Sequence, residues 1–103
     1  MPGQTLHVPH LVDVEITQAL RRFALAGHLS ETRARIALAD LAMIAMRRYP
    51  HDVLLPRVWQ LRGNLAAYDG VYVALAEALA APLVTRDGRL AGASGHGARI
   101  ELV

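Results

Sequence analysis

The sequence of 103 residues contains no cysteine and no lysine. Without cysteine the chain can form neither a disulfide framework nor a thiolate metal site, which suits a reducing compartment such as the cytoplasm. Every basic side chain other than histidine is arginine, whose planar guanidinium suits phosphate and carboxylate partners. The formal net charge is only +2. Composition therefore does not identify a nucleic-acid-binding surface, and genome base composition is the favoured explanation of the arginine excess.

The sequence also lacks a long hydrophobic run and a recognisable leader. Residues 1–10 have neither a basic region nor an apolar stretch of the kind found in signal peptides. Asp40 and Glu77 interrupt the longest apolar stretches, which are too short to cross a bilayer. Because 53% of the residues are hydrophobic, we expect a soluble chain that forms one domain, over residues 1–103, around one core.

The order of apolar patterns predicts an α/β fold. Helices are predicted over residues 10–27, 31–48, 56–63 and 69–80, and short strands over 53–55, 82–85 and 99–103. Gly27 and Pro50 follow the first two helices as stop signals. The helix over 69–80 is apolar nearly all round, which predicts burial between other layers. This alternation is typical of an open, mostly parallel sheet flanked by helices.

Some side chains are assigned structural rather than chemical roles. Trp59 is interpreted as a packing anchor, because no second aromatic side chain accompanies it. Asp13 is placed on the polar face of its helix. His7 and His10 are three residues apart, but no second pair of ligands follows them, so a zinc site is not favoured.

Three other carboxylates are candidates for chemistry: Glu15 at the border of an apolar stripe, Asp69 in the first turn of the buried helix, and Asp87 just after a strand. Each also has a structural explanation, as the rim of a solvated face, a helix cap and a turn residue. Ligands of open parallel sheets lie beyond the carboxyl ends of the strands, where Asp87 is predicted to lie. Carboxylates gathered there require neutralisation, most simply by Mg²⁺ or Mn²⁺, and such an ion serves phosphodiester hydrolysis.

The segments "HVPHLVDVEITQALRR", "LRGNLAAYDGVYVALAEAL" and "APLVTRDGRLAGA" resemble the successive blocks of the VapC toxins, the PIN-domain ribonucleases of bacterial toxin–antitoxin pairs. The resemblance implies a PIN-like α/β fold and a Mg²⁺- or Mn²⁺-dependent endoribonuclease. It also implies a VapB-type antitoxin as partner, an RNA substrate and a homodimer. By position in these blocks, Glu15, Asp69 and Asp87 match the family's metal-binding catalytic acids, and Thr85 and Asn64 match supporting or substrate-contacting residues.

The chain departs from the family pattern at its start. The family begins with a central strand of the type "xxVDAS", whose aspartate is the first metal ligand, and nothing similar precedes His7. We therefore expect a PIN-like domain without its first strand and helix, owing to a late start codon, a shortened chain or decay of the gene. Such a domain would have unpaired strand edges beside "PLVT". The alternative to the enzyme is a catalytically inactive relative that only binds antitoxin.

Overall fold

The computed structural model describes residues 5–103. The chain divides into two compact units, and the first ends at Tyr49 and the second begins at Pro50. The described elements of the first unit are β1 (Leu6–Pro9), α1 (Leu11–Leu25), α2 (Glu31–Met43) and β2 (Met46–Tyr49). Those of the second are a 3-10 turn (Asp52–Leu54), α3 (Leu55–Gln60), α4 (Ala67–Leu79), β3 (Leu83–Thr85), α5 (Gly88–Ala91) and β4 (Ile100–Leu102). The single domain expected over residues 1–103 stays a prediction.

Each unit contains one pair of parallel strands. In the first unit β1 pairs with β2, with His7 opposite Arg47. In the second unit β3 pairs with β4, with Val84 opposite Glu101. Helices connect the paired strands, as parallel pairing requires. The predicted α/β class with parallel strands is confirmed.

The first unit follows the sequence signals at most helix ends. The side chain of Ser30 accepts a hydrogen bond from the Arg33 backbone N–H at 3.1 Å and so caps α2. Gly27 adopts a φ of +80° after α1, a backbone conformation that favours glycine. The prediction that this second helix reaches Arg48 is wrong, however, because α2 ends at Met43 and Arg48 lies in β2. Hydrogen bonding to β1 outweighs the helical pattern at that point.

Asp13 differs from its predicted position on a polar face. Its carboxylate is partly buried and accepts a 2.7 Å hydrogen bond from the Arg48 guanidinium. The guanidinium also donates to the carbonyl of Leu41. A side chain predicted to face water therefore links α1 to β2, since Arg48 lies in a strand rather than at a helix end.

Two local predictions in the second unit are also wrong. Residues 53–55, predicted as a strand, form the 3-10 turn and the start of α3. Trp59, interpreted as a packing anchor, is 67% exposed, and the Arg62 guanidinium stacks on its ring at 4.5 Å. The helix α3 is short and turns its Val58 side toward the protein interior, so the adjacent Trp59 faces outward.

The core of the second unit forms around α4. Six residues of α4 are buried, as predicted from its apolar character: Gly70, Val71, Val73, Ala74, Leu75 and Ala76. Gly70 allows a close approach to α3, because a Cβ there would lie 3.1 Å from Val58 Cγ1. A buried cluster joins the end of α3 to α4 and α5, and it consists of Leu61, Leu65, Val73 and Leu90.

Strand pairing leaves open edges in both units. Among residues 5–103, each of the four strands has a single neighbour, so β3 has an unpaired edge, as expected beside "PLVT". The missing first strand itself stays a prediction. No helix within the described range is long and apolar enough to span a membrane.

Candidate active site

Asp69 and Asp87 line the same cavity in the second unit. Its volume is about 350 Å³, and its other lining residues are Asn64, Leu65, Ala66, Arg89 and Leu90. Asp69 lies in the first turn of α4 and Asp87 immediately precedes α5. The buried side chains of Leu65 and Leu90 form the apolar wall. We call this space the acid pocket.

Asp87 is fixed in place by backbone hydrogen bonds. Its Oδ1 accepts from the N–H groups of Arg89 at 2.9 Å and Leu90 at 3.4 Å. These hydrogen bonds, the one from Arg89 first, hold the pKa of Asp87 below its usual value. The carboxylate therefore stays ionised at neutral pH. Asp87 thus caps α5, where the structural explanation predicted a turn residue, and it is also an anionic group facing the acid pocket.

Thr85 supports Asp87 from the end of β3. The Thr85 hydroxyl accepts a hydrogen bond from the Asp87 backbone N–H at 3.0 Å. This contact orients the turn between β3 and α5. Thr85 does not line the acid pocket, so within this unit its contact is with the backbone of an acid rather than with the cavity.

Asp69 is not the cap of its helix. The N-cap position of α4 is Ala66, which has no side chain that could accept a capping hydrogen bond. Asp69 is partly buried at the acid pocket. The helix-cap explanation therefore lacks support at this position, and the charge of Asp69 faces the cavity.

Glu15 belongs to the first unit, where it lies exposed on α1. Its participation with Asp69 and Asp87 in one site stays a prediction. Within residues 50–103, all of which the structure describes, no group of three Asp, Glu or His side chains is arranged as a metal site. The second unit by itself thus offers two carboxylates to a metal.

The residues of the acid pocket are chemically suited to a hard divalent cation. Asp69 and Asp87 supply carboxylate oxygens, and Asn64 supplies an amide group. Mg²⁺ and Mn²⁺ prefer oxygen ligands and retain several waters when few protein ligands are present. The second carboxylate oxygen of Asp87 has only a 3.6 Å contact with Arg89 Nη2, so it remains accessible to an ion. The donor set fits such an ion.

Comparison with characterised proteins identifies the family. The chain is 49% identical over 98 residues to ribonuclease VapC1 of Mycobacterium tuberculosis, which covers 94% of this chain and 74% of that protein. It is 51% identical over 88 residues to VapC ribonuclease Mb0985 of Mycobacterium bovis, covering 85% of this chain and 69% of that protein. The chain belongs to the VapC ribonuclease family. No protein-family model matches it.

The VapC relatives extend the comparison over nearly the whole chain. Ribonuclease VapC12 of Mycobacterium tuberculosis is 41% identical over 101 residues, or 98% of this chain and 78% of the relative. The resemblance stated from the sequence is thereby confirmed, and with it the PIN-like α/β class. The roles of the individual site residues remain predictions for this VapC chain.

Sequence reasoning missed an ion pair in the second unit. Arg57 on α3 and Glu77 on α4 form two parallel hydrogen bonds of 2.8 Å, from Nε to Oε1 and from Nη2 to Oε2. Glu77 Oε2 also accepts from the Gly97 backbone N–H at 2.7 Å. The sequence did contain a signal for this ion pair, because a carboxylate in a largely apolar helix requires a basic partner. The sequence does not say which of the arginines supplies it.

We expect Glu77→Gln to lower stability at neutral pH but not in strong acid. Hydrogen bonds from Arg57 and Gly97 lower the pKa of Glu77 from 4.5 to about 2. The folded state therefore gains stability above the ordinary Glu pKa and loses it as the pH falls toward 2. Since Arg57 is 36% exposed, we expect a loss of only about 1–2 kcal/mol. Urea unfolding at neutral pH and in acid measures it.

The matched control for that experiment is Glu31→Gln. Glu31 also forms an ion pair, with Arg35 one helical turn away at 2.7 Å, but both side chains are strongly exposed. Its loss should cost less than about 0.5 kcal/mol at any pH. Equal effects of the two substitutions, or a Glu77→Gln effect that persists in strong acid, would contradict the assigned ion pair.

Proposed function

We propose that this chain is the toxin of a type II toxin–antitoxin pair, a Mg²⁺- or Mn²⁺-dependent endoribonuclease that cleaves RNA phosphodiester bonds. The observation that carries the proposal is the convergence of Asp69 and Asp87 on one cavity in a chain of the VapC ribonuclease family. Arg89 offsets part of the charge of Asp87 at 3.6 Å, and a divalent ion would neutralise the charge that remains on the two carboxylates.

The residues of the acid pocket have distinct proposed roles. Asp69 and Asp87, together with Glu15 of the first unit, would hold the metal ion. The bound ion would polarise the scissile phosphate and lower the pKa of an attacking water. Thr85 keeps the Asp87 backbone in place, and Asn64 at the cavity wall contacts the substrate. The apolar wall of Leu65 and Leu90 limits water at the reacting phosphate.

The partners follow from the same proposal. A VapB-type antitoxin would cover the acid pocket and so block access of RNA. We propose a homodimer acting in the cytoplasm, in keeping with the absence of cysteine.

The alternative proposal is an inactive relative that only binds antitoxin. One specific observation favours it: the acid pocket of the second unit contains only two carboxylates. With fewer negative ligands, metal affinity falls. Antitoxin binding would depend on surface contacts and would survive the loss of the metal.

The two proposals differ in metal-dependent cleavage. Single-stranded RNA labelled at one end is incubated with the protein over a series of Mg²⁺ or Mn²⁺ concentrations, and a chelator is added to a parallel sample. The enzyme should produce internal cuts whose rate rises with metal concentration and falls to background with chelator. Binding of the cognate antitoxin without cleavage at any metal concentration would instead establish the inactive relative. Cleavage that resists the chelator would refute metal dependence.

A further inference from the structure

The loop between α5 and β4 is fastened by the Arg57–Glu77 ion pair. Glu77 Oε2 accepts a hydrogen bond from the Gly97 N–H at 2.7 Å, and Arg57 Nη2 donates to the Gly95 carbonyl at 3.4 Å. Two backbone positions of one loop are thus bound by a single pair of charged side chains. The pair is itself tied to α3 and α4, which form the core of the second unit.

The fastened loop contacts Asn64 at its Gly95. Gly95 has a φ of +89°, and a Cβ added there would overlap the Asn64 side-chain nitrogen Nδ2 and lie 3.5 Å from its Cγ. The Asn64 amide therefore packs directly on the Gly95 backbone, in space that only glycine leaves open. Asn64 also lines the acid pocket beside Asp69 and Asp87.

Asn64 lies at an exposed position outside the helices and strands. It follows the short helix α3 in a turn, and its side chain is exposed. An exposed amide on a turn samples several rotamers, and ordering it costs free energy when a ligand binds. A rigid backbone surface against its amide removes part of that cost in advance.

We propose that Arg57, Glu77 and Gly95 are positioning residues, which hold the Asn64 amide at the acid pocket in the orientation that binds the RNA substrate. This inference rests on the proposed ribonuclease function. The ion pair fixes the loop, the loop presents the Gly95 backbone, and that backbone orients Asn64. None of the three positioning residues needs to touch RNA.

The substitution Gly95→Ala tests the contact, and Gly27→Ala is its matched control. Both glycines have a similar positive φ, +89° and +80°, so alanine is strained at either position. A Cβ at Gly27 meets nothing within 4 Å, whereas at Gly95 it meets Asn64. Only Gly95→Ala should therefore displace the Asn64 amide, although both variants should melt at lower temperature.

The first measurement is independent of activity. The sequence contains a single asparagine, so its side-chain NH₂ signals in an amide NMR spectrum report on Asn64 alone. Gly95→Ala should shift or broaden these signals, and Gly27→Ala should leave them unchanged. Glu77→Gln removes the charge and one acceptor oxygen, which weakens the attachment of the loop without adding a Cβ, so it should broaden these signals as well. Unchanged Asn64 signals in both Gly95→Ala and Glu77→Gln would overturn the proposal.

The second measurement is RNA cleavage. Gly95→Ala should raise KM about tenfold, the value of one lost hydrogen bond to a charged phosphate, and change kcat less. In an Asn64→Ala background the same substitution should change KM by less than about twofold. A KM effect of Gly95→Ala that persists without Asn64 would show that the loop acts by another route and would overturn the proposal.

Failure of the proposed function is distinguishable from failure of this inference. If the unsubstituted protein cleaves no RNA, the ribonuclease proposal fails, while the NMR signals still decide whether the loop holds Asn64. If it cleaves RNA and the Asn64 signals do not respond to either loop variant, the positioning role alone is refuted.

Discussion

Replacing Asp69 by asparagine is expected to abolish metal-dependent RNA cleavage, with a loss of about a hundredfold or more in kcat/KM. The substitution removes one negative charge from the acid pocket and barely changes the side-chain shape. Asp69 is not the cap of α4 and contributes no apolar side chain to the core, so folding should be nearly unaffected. Cleavage of single-stranded RNA against Mg²⁺ concentration measures the loss.

Thermal melting and a second variant control for indirect effects. Asp40→Asn removes the same charge from an exposed position on α2 and should change neither melting nor cleavage. An Asp69→Asn protein that melts normally and cuts at the unsubstituted rate would show that Asp69 is not a metal ligand.

Apart from residues 53–55 and Trp59, the second unit was predictable because its signals are strong and local. The apolar segment that became α4 is too long for a strand, and six buried residues confirm it as an interior helix. The stretches around Val84 and Glu101 are short, bounded by turn residues, and form the parallel pair β3 and β4. In each case the period of the apolar residues and the chain breakers indicate the same element.

The first unit was less predictable because its strands carry little apolar signal. The strand β2 is Met-Arg-Arg-Tyr, and two arginines followed by a proline equally indicate a helix end. Only its pairing with β1 shows that this segment is a strand and not a helix end, and the paired residues are about forty positions apart in the sequence. Such a long-range contact cannot be derived from a local pattern. The same limit explains Asp13, whose partner Arg48 lies 35 residues away.

In the candidate site, too, local features were predictable and long-range contacts were not. The place of Asp87 follows from the rule that ligands bind beyond strand ends, and it does lie on the acid pocket with Asp69. The ion pair that anchors the loop between α5 and β4 could not be derived, since Arg57 and Glu77 are 20 residues apart and the sequence offers 11 arginines as possible partners of Glu77. The sequence thus predicts the acids better than it predicts what surrounds them.

The largest expected effect on stability is that of Leu61→Ala. Leu61 is only 1% exposed and packs with Leu65, Val73 and Leu90. Removing its side chain loses apolar burial and leaves a cavity between α3 and α4, which costs about 3 kcal/mol. A domain of this size has little stability to spare, so a large fraction of it would be lost. Urea unfolding followed by circular dichroism measures the difference.

Leu55→Ala is the matched control, because it deletes the same atoms from a side chain that is 51% exposed at the start of the same helix. It should cost less than about 1 kcal/mol. Since Leu65 and Leu90 belong both to the core cluster and to the wall of the acid pocket, Leu61→Ala should also weaken RNA cleavage at temperatures well below its melting point. Equal losses of stability for the two substitutions would mean that Leu61 does not belong to the core of the second unit. A destabilised Leu61→Ala protein with unchanged cleavage would mean that the pocket is held by its hydrogen bonds at Asp87 rather than by the packing below it.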